Sequence, residues 1–165
     1  MSAKLPSIEK VRAIDELKLQ VKFRGRGLRT IRLAGLVALK KVLQPLKDYS
    51  VFAKVKVIDG GAAVAWPNGL DLGASTLWRI SVEQAPFTNE DFVAWQERVG
   101  LSNQEAADAL GCSLSTIKNI RGGSVPVGNA VAIACRAMDA ELTTLAAHYR
   151  PLSAGRPRSK ARKAA

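Results

Sequence analysis

The chain has 165 residues, with 25 Lys and Arg against 14 Asp and Glu and a formal net charge of +11. That length suits one or two small domains, and 47% hydrophobic content with only four Phe and three Trp predicts cores of aliphatic side chains. No apolar run approaches the roughly 18 residues of a membrane span. The N-terminus lacks the basic-then-apolar layout of a signal peptide, and the two cysteines show no C-x-x-C spacing, so a membrane protein, a disulfide framework and a zinc site are set aside and a cytoplasmic protein is expected.

In chain order, Leu17, Leu19, Val21 and Phe23 alternate with Lys18, Gln20 and Lys22, the period of a half-buried strand. Arg24-Gly-Arg-Gly27 turns the chain into a second strand through Ile31 and Leu33, which makes a hairpin. A helix over Leu36 to Leu43 and a short helix around Asp48 to Ala53 are expected next. A second hairpin follows, Val55 to Ile58 with Ala62 to Trp66 across Gly60-Gly61. Trp66-Pro-Asn-Gly-Leu-Asp-Leu72 closes with a turn, because proline fixes φ while Asn and Gly tolerate positive φ. The stretch Glu83 to Phe87, with Pro86, is the natural boundary, so residues 1–81 are predicted to form a small α+β domain of hairpins and short helices.

The Val51-Phe-Ala-Lys-Val55 run before that Trp-Pro-Asn-Gly-x-Asp-Leu turn resembles a small bacterial domain family of unknown function, over about residues 8–80. The resemblance implies an α+β fold and a protein partner, since members occur alone or fused to a helix-turn-helix and are associated with toxin–antitoxin-like gene pairs. Trp66, Asn68 and Asp71 match its signature; they fix a turn and fill the core, form a binding surface, or take part in catalysis.

Beyond the boundary the texture becomes helical. Phe92, Trp95 and Val99 recur at helical spacing within Thr88 to Gly100, and Val131, Ala134, Cys135 and Met138 do so within Asn129 to Met138. Between them, Leu101 to Arg121 reads as two short helices joined by a glycine turn. Ser102 and Glu105 make a capping box, Gly111 sits at a sharp turn with positive φ, and Ser113 caps the second helix. Ala106, Ala107, Leu110, Cys112, Ile117 and Ile120 stand where the pair needs small or apolar groups.

Residues 87–149 thereby resemble the Cro/lambda-repressor-like helix-turn-helix family, which implies an all-α DNA-binding domain. By the resemblance, Leu114, Ser115, Lys118 and Asn119 face base edges in the major groove, and Asn103, Thr116, Arg121 and Ser124 lie at the phosphate backbone. Asn pairs well with adenine and Lys donates to guanine, whereas Leu114 offers only apolar contact where a polar reader is expected. Gly122-Gly123 in the following loop either lets the duplex approach closely or merely ends the helix.

Charge is distributed unevenly: residues 1–81 carry +9, residues 82–149 carry −4 and residues 150–165 carry +6. Phosphate neutralisation dominates non-specific DNA affinity, so the acidic helical segment needs cations from elsewhere. The tail, 150–165, is rich in Pro, Ser and cations and is expected to be disordered alone. Its Gly155-Arg-Pro-Arg158 resembles the core of an AT-hook, so Arg156 and Arg158 either enter an A·T minor groove or contact phosphates generically.

The expected architecture is therefore α+β followed by an all-α domain. The leading functional expectation is a homodimeric regulator that binds double-stranded DNA, with residues 1–81 dimerising or binding a partner protein. The alternative is an antitoxin-like interaction module, in which the basic strands of residues 17–32 bind an acidic protein or RNA and the helical domain is structural. No enzyme, metal or cofactor is expected: His148 is the one histidine, at a helix end, and no nucleophile has a paired base.

Overall fold

The computed structural model describes residues 5–150. They form two compact units, one running to Ala85 and the other beginning at Pro86. The class is α+β: two small sheets and short helices in the first unit, helices alone in the second.

In the first unit, β1 (Ile8–Asp15), β2 (Lys18–Phe23) and β3 (Gly27–Arg32) form an antiparallel sheet in the order β1-β2-β3. Leu19, Val21 and Phe23 alternate onto its inner face with Ile31 and are fully buried. Each such side chain contributes roughly 1.5–3 kcal/mol of burial. Then come α1 (Ala34–Leu39), a 3-10 segment (Lys41–Lys47) and α2 (Tyr49–Phe52). A second antiparallel sheet of β4 (Lys56–Ile58), β5 (Ala63–Ala65) and β6 (Asp71–Gly73) follows, and α3 (Ala74–Glu83) completes the unit. Trp66 is buried there, stacked on Phe52 at 5.9 Å, with its Nε1–H donated to the Phe52 carbonyl at 3.0 Å. Asn68 Oδ1 accepts from the Leu70 N–H at 3.3 Å, within a turn closed by the Trp66 N–H on the Leu70 carbonyl. Trp66 and Asn68 therefore serve the core and the turn, while Asp71 is exposed on β6.

Several sequence-based expectations need correction. The single helix expected over Leu36 to Leu43 breaks at Lys40, which is extended. The Gln44 side chain donates to the Val37 carbonyl that a continuing helix would use, and Pro45 forbids α geometry just beyond. Leu33 is not in the second strand but is the N-cap residue that precedes α1. Strands β1 and β6 and helix α3 were not anticipated. In β1 a register shift between Ile8 and Lys10 puts the apolar positions at 8, 11 and 13, out of strict alternation. In α3 one of the three buried positions is Ser81, which thins the apolar stripe.

Gly61 is where the first unit tolerates no side chain. Its φ is +102°, and a Cβ there would stand 2.3 Å from the Ile8 carbonyl oxygen.

The second unit consists of α4 (Asn89–Val99), α5 (Asn103–Leu110), α6 (Leu114–Arg121), α7 (Asn129–Ala140) and α8 (Leu142–His148). Phe92, Trp95, Ile117, Ile120 and Cys135 are buried in one core, closed by the small residues Ala106, Ala107 and Ala109. The helix end expected at His148 is that of α8, whose start at Leu142 the sequence reading does not locate, and α7 runs two residues beyond the expected Met138. Among the described residues, no helix is long and apolar enough to cross a membrane.

Candidate nucleic-acid interface

The site is built on α5 and α6, and local chemistry fixes both. Ser102 Oγ accepts the Glu105 N–H at 3.2 Å and the Glu105 carboxylate accepts the Ser102 N–H at 2.9 Å, a reciprocal cap that starts α5. Gly111 ends it with φ +64°, and the Cys112 N–H reaches back to the Ala107 carbonyl at 3.0 Å. Two residues later Ser113 Oγ accepts the Thr116 N–H at 3.0 Å, so α6 starts at once. The turn is short because a left-handed glycine and a serine cap leave nothing else to be satisfied.

Ile117 and Ile120 bury one stripe of α6. The opposite side presents Ser115, Lys118 and Asn119, all exposed, at i, i+3 and i+4 and hence on one face. Leu114 is half-buried beside them. Helix α6 itself carries no carboxylate; its charges are Lys118 and Arg121.

The four residues assigned to the phosphate backbone have differing surroundings. Thr116 shares its hydroxyl with Ser113 at 2.8 Å and is half-buried. Ser124 Oγ donates to the Asn119 carbonyl at 3.1 Å, and its own N–H bonds the same oxygen at 3.0 Å. With Gly123 at φ +74°, this ends α6, so the glycine pair terminates the helix. Asn103 Oδ1 accepts from Gln96 Nε2 at 3.0 Å. Arg121 Nη1 donates to Gln96 Oε1 at 2.9 Å, and its Nη2 lies 3.8 Å from Glu97. Arg156 and Arg158 lie outside the described residues.

Two residues that the sequence analysis did not single out tie the site together. Gln96 is buried in α4, and its amide bonds the Leu101 carbonyl, Asn103 at the start of α5 and Arg121 at the end of α6. Asn89 Nδ2 donates to the Ile120 carbonyl at 2.7 Å and to Val125 at 2.8 Å, fastening the end of α6 and the loop beyond to the first turn of α4. The signal for Gln96 was present: it stands at i+4 from Phe92, inside the apolar stripe, where a polar residue needs buried partners.

Electrostatically the surroundings are mixed. Arg98 holds Asp139 through two bonds of 3.0 and 2.9 Å, a strap from α4 to α7 that raises the guanidinium further above its ordinary range. Asp108 is exposed on α5 and accepts from Gln104 at 2.9 Å. Cys135 is buried and its thiol is pushed up to about 12 by that burial, while half-buried Cys112 is raised for the same reason. Among the described residues no group of three His, Cys, Asp or Glu stands where a metal ion would be held.

Residues 8–83, under half of the chain, match the model of a family described as a protein of unknown function, DUF2442. No curated protein matches the chain. Among solved structures, it is similar to the crystal structure of a "putative DNA binding protein" from Nitrosomonas europaea, with 23% identity over 96% of this chain and 98% of that one and a TM-score of 0.49.

Proposed function

We propose that this chain is a transcriptional regulator of the Cro/lambda-repressor type, with α5 and α6 as its helix-turn-helix and α6 lying in the major groove of duplex DNA. The observation that carries the reading is the exposed face of Ser115, Lys118 and Asn119 on a helix whose other side is anchored by Ile117 and Ile120. Asn119 pairs with adenine, Lys118 donates to guanine, Ser115 serves either base, and half-buried Leu114 touches a thymine methyl. Asn103, Thr116, Arg121 and Ser124 border the phosphates. A guanidinium has five N–H donors, so Arg121 can brace α4 and still reach a phosphate.

On this reading the chain acts in the cytoplasm by binding, not by catalysis, and as a homodimer. Two copies double the contacts of a modest reader on a palindrome whose half-sites lie about 34–36 Å apart or a multiple of that. Residues 1–81 supply the dimer or partner surface, and residues 150–165 add cations, with Arg156 and Arg158 at the minor groove or the backbone.

The test is selection of a preferred duplex from a random pool, followed by Asn119→Ala. Loss of roughly 1–3 kcal/mol on the selected duplex with little change on random DNA supports the reading. Equal losses on both would reduce Asn119 to a positioning role, and no duplex binding at micromolar protein would end the proposal. Sedimentation of the full chain checks the dimer, which a monomer at micromolar concentration contradicts.

A further inference from the structure

The outer face of the β1–β2–β3 sheet holds an arrangement that folding alone does not favour. Register places Lys10 directly opposite Lys22, and Lys18 directly opposite Arg32. Like charges facing each other across an antiparallel pair destabilise a sheet. Arg12 stands on the same face opposite Gln20, so five cations alternate outward while Leu19, Val21 and Phe23 point inward. Two carboxylates offset them in part: Glu9 bonds Lys22 and Asp15 bonds Lys18, each at 2.8 Å. Opposite-facing uncharged pairs such as Gln20 with Thr30 show that the face does not need charge to stay wet.

Lysines and arginines on strands often guard an exposed edge against pairing with another chain. That explanation fails for Lys18 and Lys22, because β2 is the central strand and has no free edge. Asp15 and Glu9 answer only Lys18 and Lys22, so Lys10, Arg12 and Arg32 remain as a cationic excess beyond what those two ion pairs use, and such an excess marks a surface selected for something else. The complement of a solvent-facing cationic surface is a polyanion. The helices need one bound for them, since residues 82–149 are net acidic and phosphate contacts supply nearly all sequence-independent affinity.

We infer that this sheet face is a second DNA contact, binding the phosphate backbone of a duplex through Lys10, Arg12, Lys18, Lys22 and Arg32. The inference rests on the reading of the partner as duplex DNA and assigns to the first unit backbone affinity beyond the few phosphate contacts of the net-acidic helical unit. The face carries affinity without sequence preference, since phosphate contacts contain no base information.

The experiment uses the full chain with Lys10→Gln, Arg12→Gln and Arg32→Gln combined, titrated against a labelled random-sequence duplex over a range of NaCl. Each lost phosphate contact makes the log–log salt slope shallower by about 0.9, so the triple variant is expected to lose about 2–3 in slope. Affinity near 150 mM salt should fall at least tenfold on selected and random duplex alike. A control triple, Lys40→Gln, Lys41→Gln and Lys47→Gln, removes the same charge from exposed positions outside the sheet and should change affinity less than threefold. Melting points check folding, and relief of the Lys10–Lys22 opposition should leave the sheet variant at least as stable as the parent. The single Lys10→Gln, with a slope change of about 0.9, serves if the triple does not fold. An unchanged slope overturns the proposal, as do equal losses in the two triples, or tighter binding of single-stranded RNA than of duplex at matched salt. If Asn119→Ala abolishes discrimination while the sheet triple has no effect, the sheet falls and the helix-turn-helix reading stands. If the sheet triple moves the slope while Asn119→Ala changes nothing, the sheet stands and that reading falls.

Discussion

The two units of this chain hold themselves together by different means. Up to Ala85, large side chains meet across long sequence separations, Phe52 with Trp66 and Phe23 with Trp78, and the Ile8 backbone lies tight against Gly61. From Pro86 onward, a smaller apolar core of Phe92, Trp95, Ile117, Ile120 and Cys135 is supplemented by local devices, two reciprocal caps at Thr88 and Ser102, a simple cap at Ser113 and glycine ends, and by polar braces between helices. Interlocked packing tolerates little change at its tightest points. Capped helices spread their stability over many small terms. Charge divides the same way, with the first unit basic and the helical segment acidic.

The sharpest way to break this comparison is one substitution made in both units. Gly61→Ala adds a Cβ 2.3 Å from a backbone oxygen at positive φ, so it combines overpacking with backbone strain and should cost roughly 2–5 kcal/mol in denaturant unfolding. Gly111→Ala meets open space at similar handedness and should cost only about 1–2 kcal/mol. Equal costs would show that the first unit yields around Gly61 and is not interlocked there.

Next in size is Gln96→Ala, which strips partners from the Leu101 carbonyl, Asn103 and Arg121 together; a loss of about 1–3 kcal/mol is expected, confined to the helical unit. Hydrogen exchange that slows or quickens equally in the strands would contradict that confinement. Ser113→Ala removes a single cap and should cost about 1 kcal/mol. Its effect on α6 amides, followed by the same exchange measurement, separates a local device from a global one.

Acid offers the gentlest discrimination. In the first unit, hydrogen bonds from Lys22 to Glu9, from Lys18 to Asp15 and from Ser50 to Asp48 hold these carboxyls below their ordinary range. A carboxyl lowered in the folded state stabilises it fully above the unfolded value, and the benefit disappears as pH falls through the folded value. The melting point of the first unit should therefore drop slightly between neutral pH and about pH 3. Lys18→Gln with Lys22→Gln should flatten that profile, and an unaltered profile would show that these exposed pairs do not matter to stability.

Much of this difference could be read from residue order, and the exceptions have physical causes. Alternation exposed the hairpin of β2 and β3, and the side chains of Ser102, Glu105 and Ser113, with the backbone freedom of Gly111, announced the caps of α5 and α6 because capping is local chemistry. Strand β1 was hidden by its register shift, and α3 by Ser81 in its buried stripe. The exposed polar face of α6 was legible as the remainder of a short amphipathic helix. Its braces were not, because Asn89 reaches carbonyls 31 and 36 residues away, a pairing that no periodicity encodes. The basic character of residues 17–32 was legible and underlies the antitoxin-like alternative, but the opposition of Lys10 and Lys22 exists only once the register of β1 is known.

One bond near the end of the described chain bears on the order in which the molecule can be completed. The Tyr149 hydroxyl donates to Glu105 Oε1 at 2.9 Å, across 44 residues, while the other oxygen of that buried carboxylate caps α5. A polypeptide emerging from the ribosome folds its earlier parts first. Helix α5 is synthesised well before Tyr149, and until that tyrosine arrives its capping carboxylate lacks one of its native donors. The first helix of the candidate reading pair therefore acquires its final anchoring only after α8 has left the ribosome and docked, so a nascent chain stalled before residue 149 displays α6 on a support that is not yet locked.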